Sequence, residues 1–274
     1  MTETITSVQN PKIKQLLALQ EKSRLRRETG LFVVEGRREL QHCIDAGFEI
    51  DTIFYCRALM GGCEPSGMTA GCTPNPPRLF EISDEVYHKV AYREGTEGVI
   101  AEVRVRERGL ADLKLRKDPL VVVLESVEKP GNLGAVLRSA DAAGADAVIV
   151  CDPLTDLFNP NLIRASIGAV FTVPCVACSS EEAIRWLKAN DVQILTAQLQ
   201  DSEWYYDTDM KRGSAIVIGT EATGLTQAWR DAADAHVKIP MLGAMDSLNA
   251  SVSAAILLFE AVRQRNGGRR DDIV

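Results

Sequence analysis

The chain has 274 residues, 46% apolar, 25% charged and 5% aromatic, with a formal net charge of −7. This is the composition of a folded soluble protein, and it excludes disordered, collagen-like and disulfide-framework chains. The length allows one large domain or two average ones.

In chain order, Pro11 to Arg27 sets Ile13, Leu16, Leu17 and Leu19 among Lys and Arg and predicts an amphipathic helix. Leu31 to Val34 reads as a strand, Gly36 to Ala46 as a helix and Thr52 to Cys56 as a strand. Met60 to Arg78, rich in Gly, Pro, Cys and Thr, reads as a loop. Strands at Leu79 to Glu81 and Gly98 to Val105 and a helix at Asp84 to Val90 complete a small α/β unit, residues 1–105. A charged linker follows at 106–117.

The second half, 118–268 with a tail at 269–274, has another texture. Leu120 to Leu124 is wholly apolar, as in a buried parallel sheet. A Gly-containing turn leads to a helix at Gly134 to Ala143 and a strand at Ala147 to Val150. Helices are expected at Ile163 to Ala169, Glu181 to Ala189 and Ser247 to Arg263, and strands at Val192 to Thr196 and Ala215 to Ile218. This alternation predicts a parallel sheet covered on both faces.

No apolar run approaches the ~20 residues of a membrane span, and Met1 to Asn10 shows no secretory signal. The seven Cys, including a lone Cys175-x-x-Cys178, lack metal-ligand spacing and fit a reduced, cytoplasmic setting. His42, His88 and His236 have no partner at ligand spacing, so no metal is expected. Cys151, after a strand, reads as a buried structural thiol. Charge is uneven along the chain. Residues 1–116 carry 17 basic and 17 acidic side chains, whereas Lys12 to Arg38 holds eight basic against three acidic. A phosphate-binding face can therefore exist on an acidic chain.

Three segments carry candidate chemistry. Glu128 to Gly134 follows a buried strand and opens a helix bearing Arg138, at the sheet edge where ligands of open α/β folds bind. It lacks both the dinucleotide glycine pattern and the Gly-Lys-Ser/Thr of a P-loop. Ile218 to Leu225 places Gly219 and Gly224 around Glu221 at another strand end, where backbone can approach a ligand closely. Ile239-Pro240-Met241 and Ser247-Leu248-Asn249 precede a helix apolar on nearly every face, with Asp246 or Ser247 expected as N-cap. Each alone fits an ordinary turn or cap.

Together, Pro130-Gly131-Asn132-Leu133-Gly134-Ala135 with Arg138, Ser166-Ile167-Gly168-Ala169 to Pro174, Gly219-Thr220-Glu221 through Gly224-Leu225, Ile239-Pro240-Met241 and Ser247-Leu248-Asn249 resemble the SpoU/TrmH family of RNA ribose 2′-O-methyltransferases, within the SPOUT superfamily. The resemblance spans residues 118–265. Phe32-Val33-Val34-Glu35-Gly36 and Glu97-Gly98-Val99-Ile100-Ala101 are similar, less specifically, to that family's N-terminal RNA-binding domain.

The resemblance implies an α/β fold with a C-terminal parallel-sheet methyltransferase domain, a deep trefoil knot and a homodimer. It implies S-adenosylmethionine as cofactor, held by Gly219, Thr220, Glu221, Gly224, Ile239, Met241, Leu248 and Asn249. Arg138 would act on the ribose 2′-hydroxyl as general base or as a clamp on the adjacent phosphate. A guanidinium is a poor base near neutral pH, and a planar bidentate clamp on the phosphate is equally natural; either role makes Arg138 necessary. Asn132 would position the ribose or Arg138, Glu221 would orient the motif loops, and Ser247 and Asn249 would complete the polar wall. RNA would be gripped by Lys12, Lys14, Arg24, Arg26, Arg27, Arg37 and Arg38. Ribosomal RNA is the expected substrate, because family members with the N-terminal domain mostly act there. Transfer RNA methylation and a non-catalytic RNA-binding protein are the alternatives.

Overall fold

The computed structural model describes residues 4–62, 67, 75–92, 97–220, 223–244 and 247–266. Most of the expected loop at Met60 to Arg78 lies outside them. The first unit runs β1 (Thr4–Ile5), α1 (Pro11–Glu21), α2 (Ser23–Thr29), β2 (Leu31–Glu35), α3 (Arg37–Asp45), β3 (Ile50–Tyr55), β4 (Arg78–Ile82), α4 (Asp84–Val90) and β5 (Val99–Arg104). The second opens with β6 (Leu120–Glu125), α5 (Pro130–Ala142) and β7 (Ala147–Cys151). Then come α6 (Pro160–Ala165) and α7 (Ala169–Thr172), followed by β8 (Cys175–Cys178), α8 (Ser180–Ala189), β9 (Gln193–Ala197), β10 (Glu203–Trp204), β11 (Ser214–Ile218), α9 (Gln227–Ala232), β12 (Ala235–Lys238) and α10 (Ala250–Arg265). Asp156–Thr172, which holds α6 and α7, groups with Met1–Arg106 in the first unit, and the remainder forms the second. Beyond the expected single boundary near 105–118, the chain therefore passes between the units twice more, before Asp156 and after Thr172.

In the first unit the sheet order is β1-β4-β3-β5-β2, with β5 antiparallel to both neighbours. Asn10 caps α1 by accepting from the Lys12 amide at 2.9 Å, and Pro11 occupies the first turn. Ile13, Leu16 and Leu19 are fully buried against Val33, Phe54 and Ile100. The expected helix over 11–27 is two helices, because Lys22 is extended at φ −108°, ψ 105°. On Phe32 a second aromatic layer forms: Phe158 stacks on it at 4.5 Å and Phe171 at 5.9 Å. These contacts tie 156–172 into this unit.

Arg26 closes the same region. It is 3% exposed, donates to the Leu19 carbonyl at 2.6 Å and pairs with Asp156 at 2.7 Å. A guanidinium buried and bonded in this way is structural. Arg26 therefore does not belong to an RNA surface, contrary to the expectation from charge.

The second unit is a seven-stranded, wholly parallel sheet in the order β10-β12-β9-β11-β6-β7-β8. Every residue of β6, β7 and β11 is buried, as their unbroken apolar runs require. The expected linker is not free at its C-terminal end. Leu110, Leu113 and Leu115 pack on this unit's core, and Arg116 holds Asp146 at 2.7 and 2.9 Å. Burial pushes the Asp146 carboxyl up, but hydrogen bonds from Arg116 and the Leu120 amide more than offset it and hold the group below its ordinary value. Among the described residues no helix is long and apolar enough to cross a membrane, and no cluster of three His, Cys, Asp or Glu could hold a metal.

Glu102, on β5, is 2% exposed. Burial first, and the neighbouring Asp51 second, push its carboxyl from 4.5 up to about 7 despite Arg78 and a hydrogen bond from Gln15. The folded protein therefore keeps a proton that the unfolded chain has already lost between those values. Stability contributed by this site falls as pH rises through that window. Glu102→Gln should raise the melting temperature at about pH 8 and leave it little changed near pH 4.5, read by thermal unfolding. An equal gain at both would mean that the charge is not the cause.

Candidate cofactor site

In a parallel sheet all strands end at one edge, and loops leaving that edge converge. Here the loops after β9, β11 and β12 enclose a cavity of about 370 Å³. Its walls include Leu199 and Gln198 after β9, Ile218 to Thr220 and Thr223 to Leu225 after β11, and Ile239, Met241, Ser247 and Leu248 after β12. The volume lies within the range of small-molecule sites.

The β11 loop is built by its glycines. Thr220 and Gly224 exchange backbone hydrogen bonds at 3.3 and 3.0 Å, and the Thr220 hydroxyl meets Thr223 at 2.8 Å. Gly224 has φ +68°, a left-handed conformation that glycine adopts at little cost. A Cβ on Gly219 would lie 2.4 Å from the Gly224 carbonyl carbon and 2.6 Å from the Leu225 nitrogen. Only glycine lets these two backbone segments touch.

A buried carboxylate anchors the loop's far end. Glu125, at the last position of β6, is 3% exposed. It accepts from the Thr226 amide at 2.8 Å, the Thr226 hydroxyl at 2.7 Å and the Ser180 hydroxyl at 3.3 Å. Ser180 also contacts Asp152 at 2.6 Å and accepts from the Trp229 indole at 2.9 Å. The sequence reading missed this set. An acid closing an otherwise apolar strand was its only signal. Also missed were Gln198 to Gln200, Arg230 and Lys238 of the cavity wall, although a loop after β9 follows from the strand-end rule.

Of the expected cofactor residues, Gly219, Thr220, Gly224, Ile239, Met241 and Leu248 line the cavity, as does Ser247. Glu221 and Asp246 lie outside the described residues. Asn249 is the N-cap of α10, accepting from the Ser251 amide at 2.9 Å. The helix thus begins later than expected, with Asn249 rather than Ser247 as its N-cap. The Asn249 amide also donates to Asn132 at 3.1 Å, joining the first and third motifs. α5 in turn begins at Pro130, so Asn132 sits in its first turn. Arg138 is exposed. It lies nearly two turns further along α5 and about 120° around it from Asn132.

In the first unit, Lys12, Lys14, Arg24, Arg27 and Arg38 are exposed. Arg24 pairs with Glu28, and Lys12 sits over the Phe80 ring. Arg37 is held by Glu97 and by the Met60 carbonyl, so much of its donor capacity is spent within the fold. Cys151 is buried and donates to Cys178 beside it. That hydrogen bond first, and burial second, push its thiol up and away from nucleophilic chemistry.

The profile of the SpoU rRNA methylase family matches residues 119–259, and that of the MRM3-like substrate binding domain matches residues 10–101. The chain belongs to the SpoU rRNA methylase family. A 23S rRNA (uridine(2479)-2′-O)-methyltransferase of Streptomyces viridochromogenes is 31% identical, with 97% of this chain and 93% of its own covered. A 23S rRNA (guanosine-2′-O-)-methyltransferase of Bordetella pertussis is 40% identical over 69% of this chain and 80% of its own. Among solved structures, an RNA 2′-O ribose methyltransferase aligns at 40% identity and TM-score 0.81, covering 96% of this chain and 99% of that one. The AdoMet-bound rRNA methyltransferase of Sinorhizobium meliloti aligns at 31% and 0.86, covering 95% and 97%. The chain is therefore a methyltransferase of this family, and S-adenosylmethionine is its methyl donor.

The cavity's composition fits that donor. Leu199, Ile218, Leu225, Val237 and Leu248 offer apolar walls to an adenine, while Arg230 and Lys238 offer cations to a carboxylate. Gly219→Ala should abolish S-adenosylmethionine binding in calorimetry while leaving the circular dichroism spectrum intact. Binding within about threefold of wild type would show that the Gly219–Gly224 approach is not needed.

Proposed function

We propose that this chain transfers the methyl group of S-adenosylmethionine to a ribose 2′-hydroxyl of large-subunit ribosomal RNA. The carrying observation is the strand-edge cavity, lined by the β11 and β12 loops and joined through Asn249 to Asn132 at the start of α5. The ribosomal assignment is supported by the relatives acting on 23S rRNA and by the substrate-binding profile over the first unit. A ribosomal substrate would place the protein in the cytoplasm.

When bound, the cofactor supplies a methyl carbon already activated by a positive sulfur. The protein's tasks are to hold the ribose oxygen in line and to ease loss of its proton. In this reading Ser247 and Asn249 form the polar wall at the methyl end, Asn132 orients the ribose, and Glu221 braces the β11 loop. Asn249 does two jobs: its carbonyl oxygen caps α10 and its amide fixes Asn132. Arg138 acts on the RNA, as a clamp on the phosphate beside the target ribose or as the group that shares the hydroxyl proton.

A homodimer belongs to the same proposal. Val252 and Phe259 on α10 are 46% and 48% exposed, and Ile256 between them is only part-buried. Spaced i, i+4, i+7, they form one apolar stripe on the face opposite the buried Ala254, Leu257, Leu258 and Ala261. The exposed Arg138 lies on α5, the helix against which α10 packs. The family's trefoil knot belongs to the same proposal; α10 returns after the β12 loop to pack on α5, β11 and β6.

Incubation with radiolabelled S-adenosylmethionine should label unmodified 23S rRNA, with the label surviving alkali in a dinucleotide. Label on transfer RNA alone would overturn the ribosomal assignment. Arg138→Lys should lower kcat at least about 100-fold with cofactor affinity unchanged, because a compact ammonium cannot replace the planar fork. Phe259→Glu should convert a dimer to a monomer in light scattering; a wild-type monomer would end the dimer proposal.

A further inference from the structure

Glu102 is poorly explained by the fold it sits in. One oxygen accepts from the Gln15 amide at 3.2 Å, and the other is buried with no hydrogen-bond partner among the described residues. The nearby cations are committed elsewhere, since Arg78 and Arg104 both pair with Asp51. Of its neighbours on this face of the sheet, Phe54 and Ile100 are apolar, and the Thr52 hydroxyl donates to Asp51. A buried acceptor left open costs stability, so its retention signals a partner that arrives from outside.

The surroundings indicate that partner's chemistry. Glu102 lines a cavity of about 40 Å³ with Gln15, Thr52, Phe54 and Phe80, and with Lys12 and Arg78. Phe54 and Phe80 stack at 5.9 Å, and the Lys12 ammonium lies 4.7 Å from the centre of the half-buried Phe80 ring. Lys12 and Arg78 are exposed. The site therefore combines an aromatic face, two cations in reach of solvent and a buried acceptor.

We propose that this cavity is a nucleobase subsite, in which Glu102 accepts a hydrogen bond from the exocyclic amino group of an unstacked RNA base lying on Phe80 between Lys12 and Arg78. The proposal rests on the RNA-methyltransferase reading and adds a place, in the first unit, where the RNA sequence is read. A cavity of this size admits an amino group but no ring, so the ring stays outside on Phe80. An exposed cation–aromatic contact is weaker than base stacking, so the base displaces Lys12 and frees it for phosphate. With one carboxyl oxygen taken by Gln15, a single N–H donor is wanted. Cytosine and adenine supply it, whereas uracil presents a carbonyl oxygen at that edge and meets the carboxylate like to like.

The test uses the full chain and fluorescein-labelled pentamers of C, A and U, read by anisotropy at about pH 8, where Glu102 is ionised. Wild type should bind the C and A pentamers about tenfold tighter than the U pentamer. Glu102→Gln gains a donor for uracil, and the preference should shrink to about twofold in a protein that stays folded. Phe80→Ala should weaken all three about tenfold. Equal binding of the three by wild type, or an undiminished preference in Glu102→Gln, would overturn the subsite. Calorimetry with S-adenosylmethionine separates the two readings. Base discrimination by a protein that does not bind the methyl donor would uphold the subsite and overturn the enzyme.

Discussion

The strand-edge cavity of the second unit depends on a carboxylate with no basic partner among the described residues. Glu125 sits at the point where β6 leaves the sheet, beside β11, and binds the first residue after the glycine loop through both its amide and its hydroxyl. Hydrogen bonds to a charged acceptor contribute about 1.5–3 kcal/mol each, and the two short ones from Thr226 work against the loss of water around a buried carboxylate. Ser180 then links this acid to Asp152 and Trp229. The ends of β6 and β7 and the starts of α8 and α9 are thereby held as one piece. A loop that needs a glycine at 219 to pass its own backbone has little hydrophobic material to stabilise it. Its position is set at its ends, by β11 on one side and by Thr226 on Glu125 on the other.

The two buried glutamates, Glu125 and Glu102, are a natural comparison. Both lie within sheets and both are nearly inaccessible. Glu125 has donors on both oxygens; Glu102 has a donor on one. At Glu102, burial first and the neighbouring Asp51 second move the carboxyl up to about 7. A satisfied acid shapes a site. An unsatisfied one keeps free energy available for a ligand that completes its hydrogen bonds.

Legibility in the sequence followed the strength of the pattern. The fully buried strands β6, β7 and β11 were readable because an apolar run with no alternation has few places to go except a sheet covered on both faces. α4 was expected near Asp84 to Val90 and is found there, with Ser83 as its cap and acids in its first turn. The two-residue strands β1 and β10 carry no period and left no trace, and β8 and β12 are too short to show one. Lys22, which breaks the first helix, has nothing in its side chain to announce it. In the site, the glycines and the residues after β12 were legible as motifs. The Glu125 set was not, because its members lie up to a hundred positions apart and meet only through the sheet register. Charge counting failed most plainly at Arg26. A basic residue in a basic segment can still be the one that is buried, and only the partner Asp156, 130 residues away, reveals it.

The arginines separate by what each guanidinium already holds. Arg26 is satisfied by carbonyls and Asp156, Arg116 by Asp146 and the Gly144 carbonyl, and Arg265 by the carbonyls of Asp118, Pro119, Met210 and Arg212. These are structural ties that close the chain onto itself. Arg138 is exposed on a helix whose other turns are packed by Leu133, Val136, Leu137 and Ala140. A fork of five donors on a rigid helix suits a planar anion brought from outside. The rigidity of α5 comes from its packing, so the direction in which the Cα–Cβ bond of Arg138 leaves the helix is set by the fold itself.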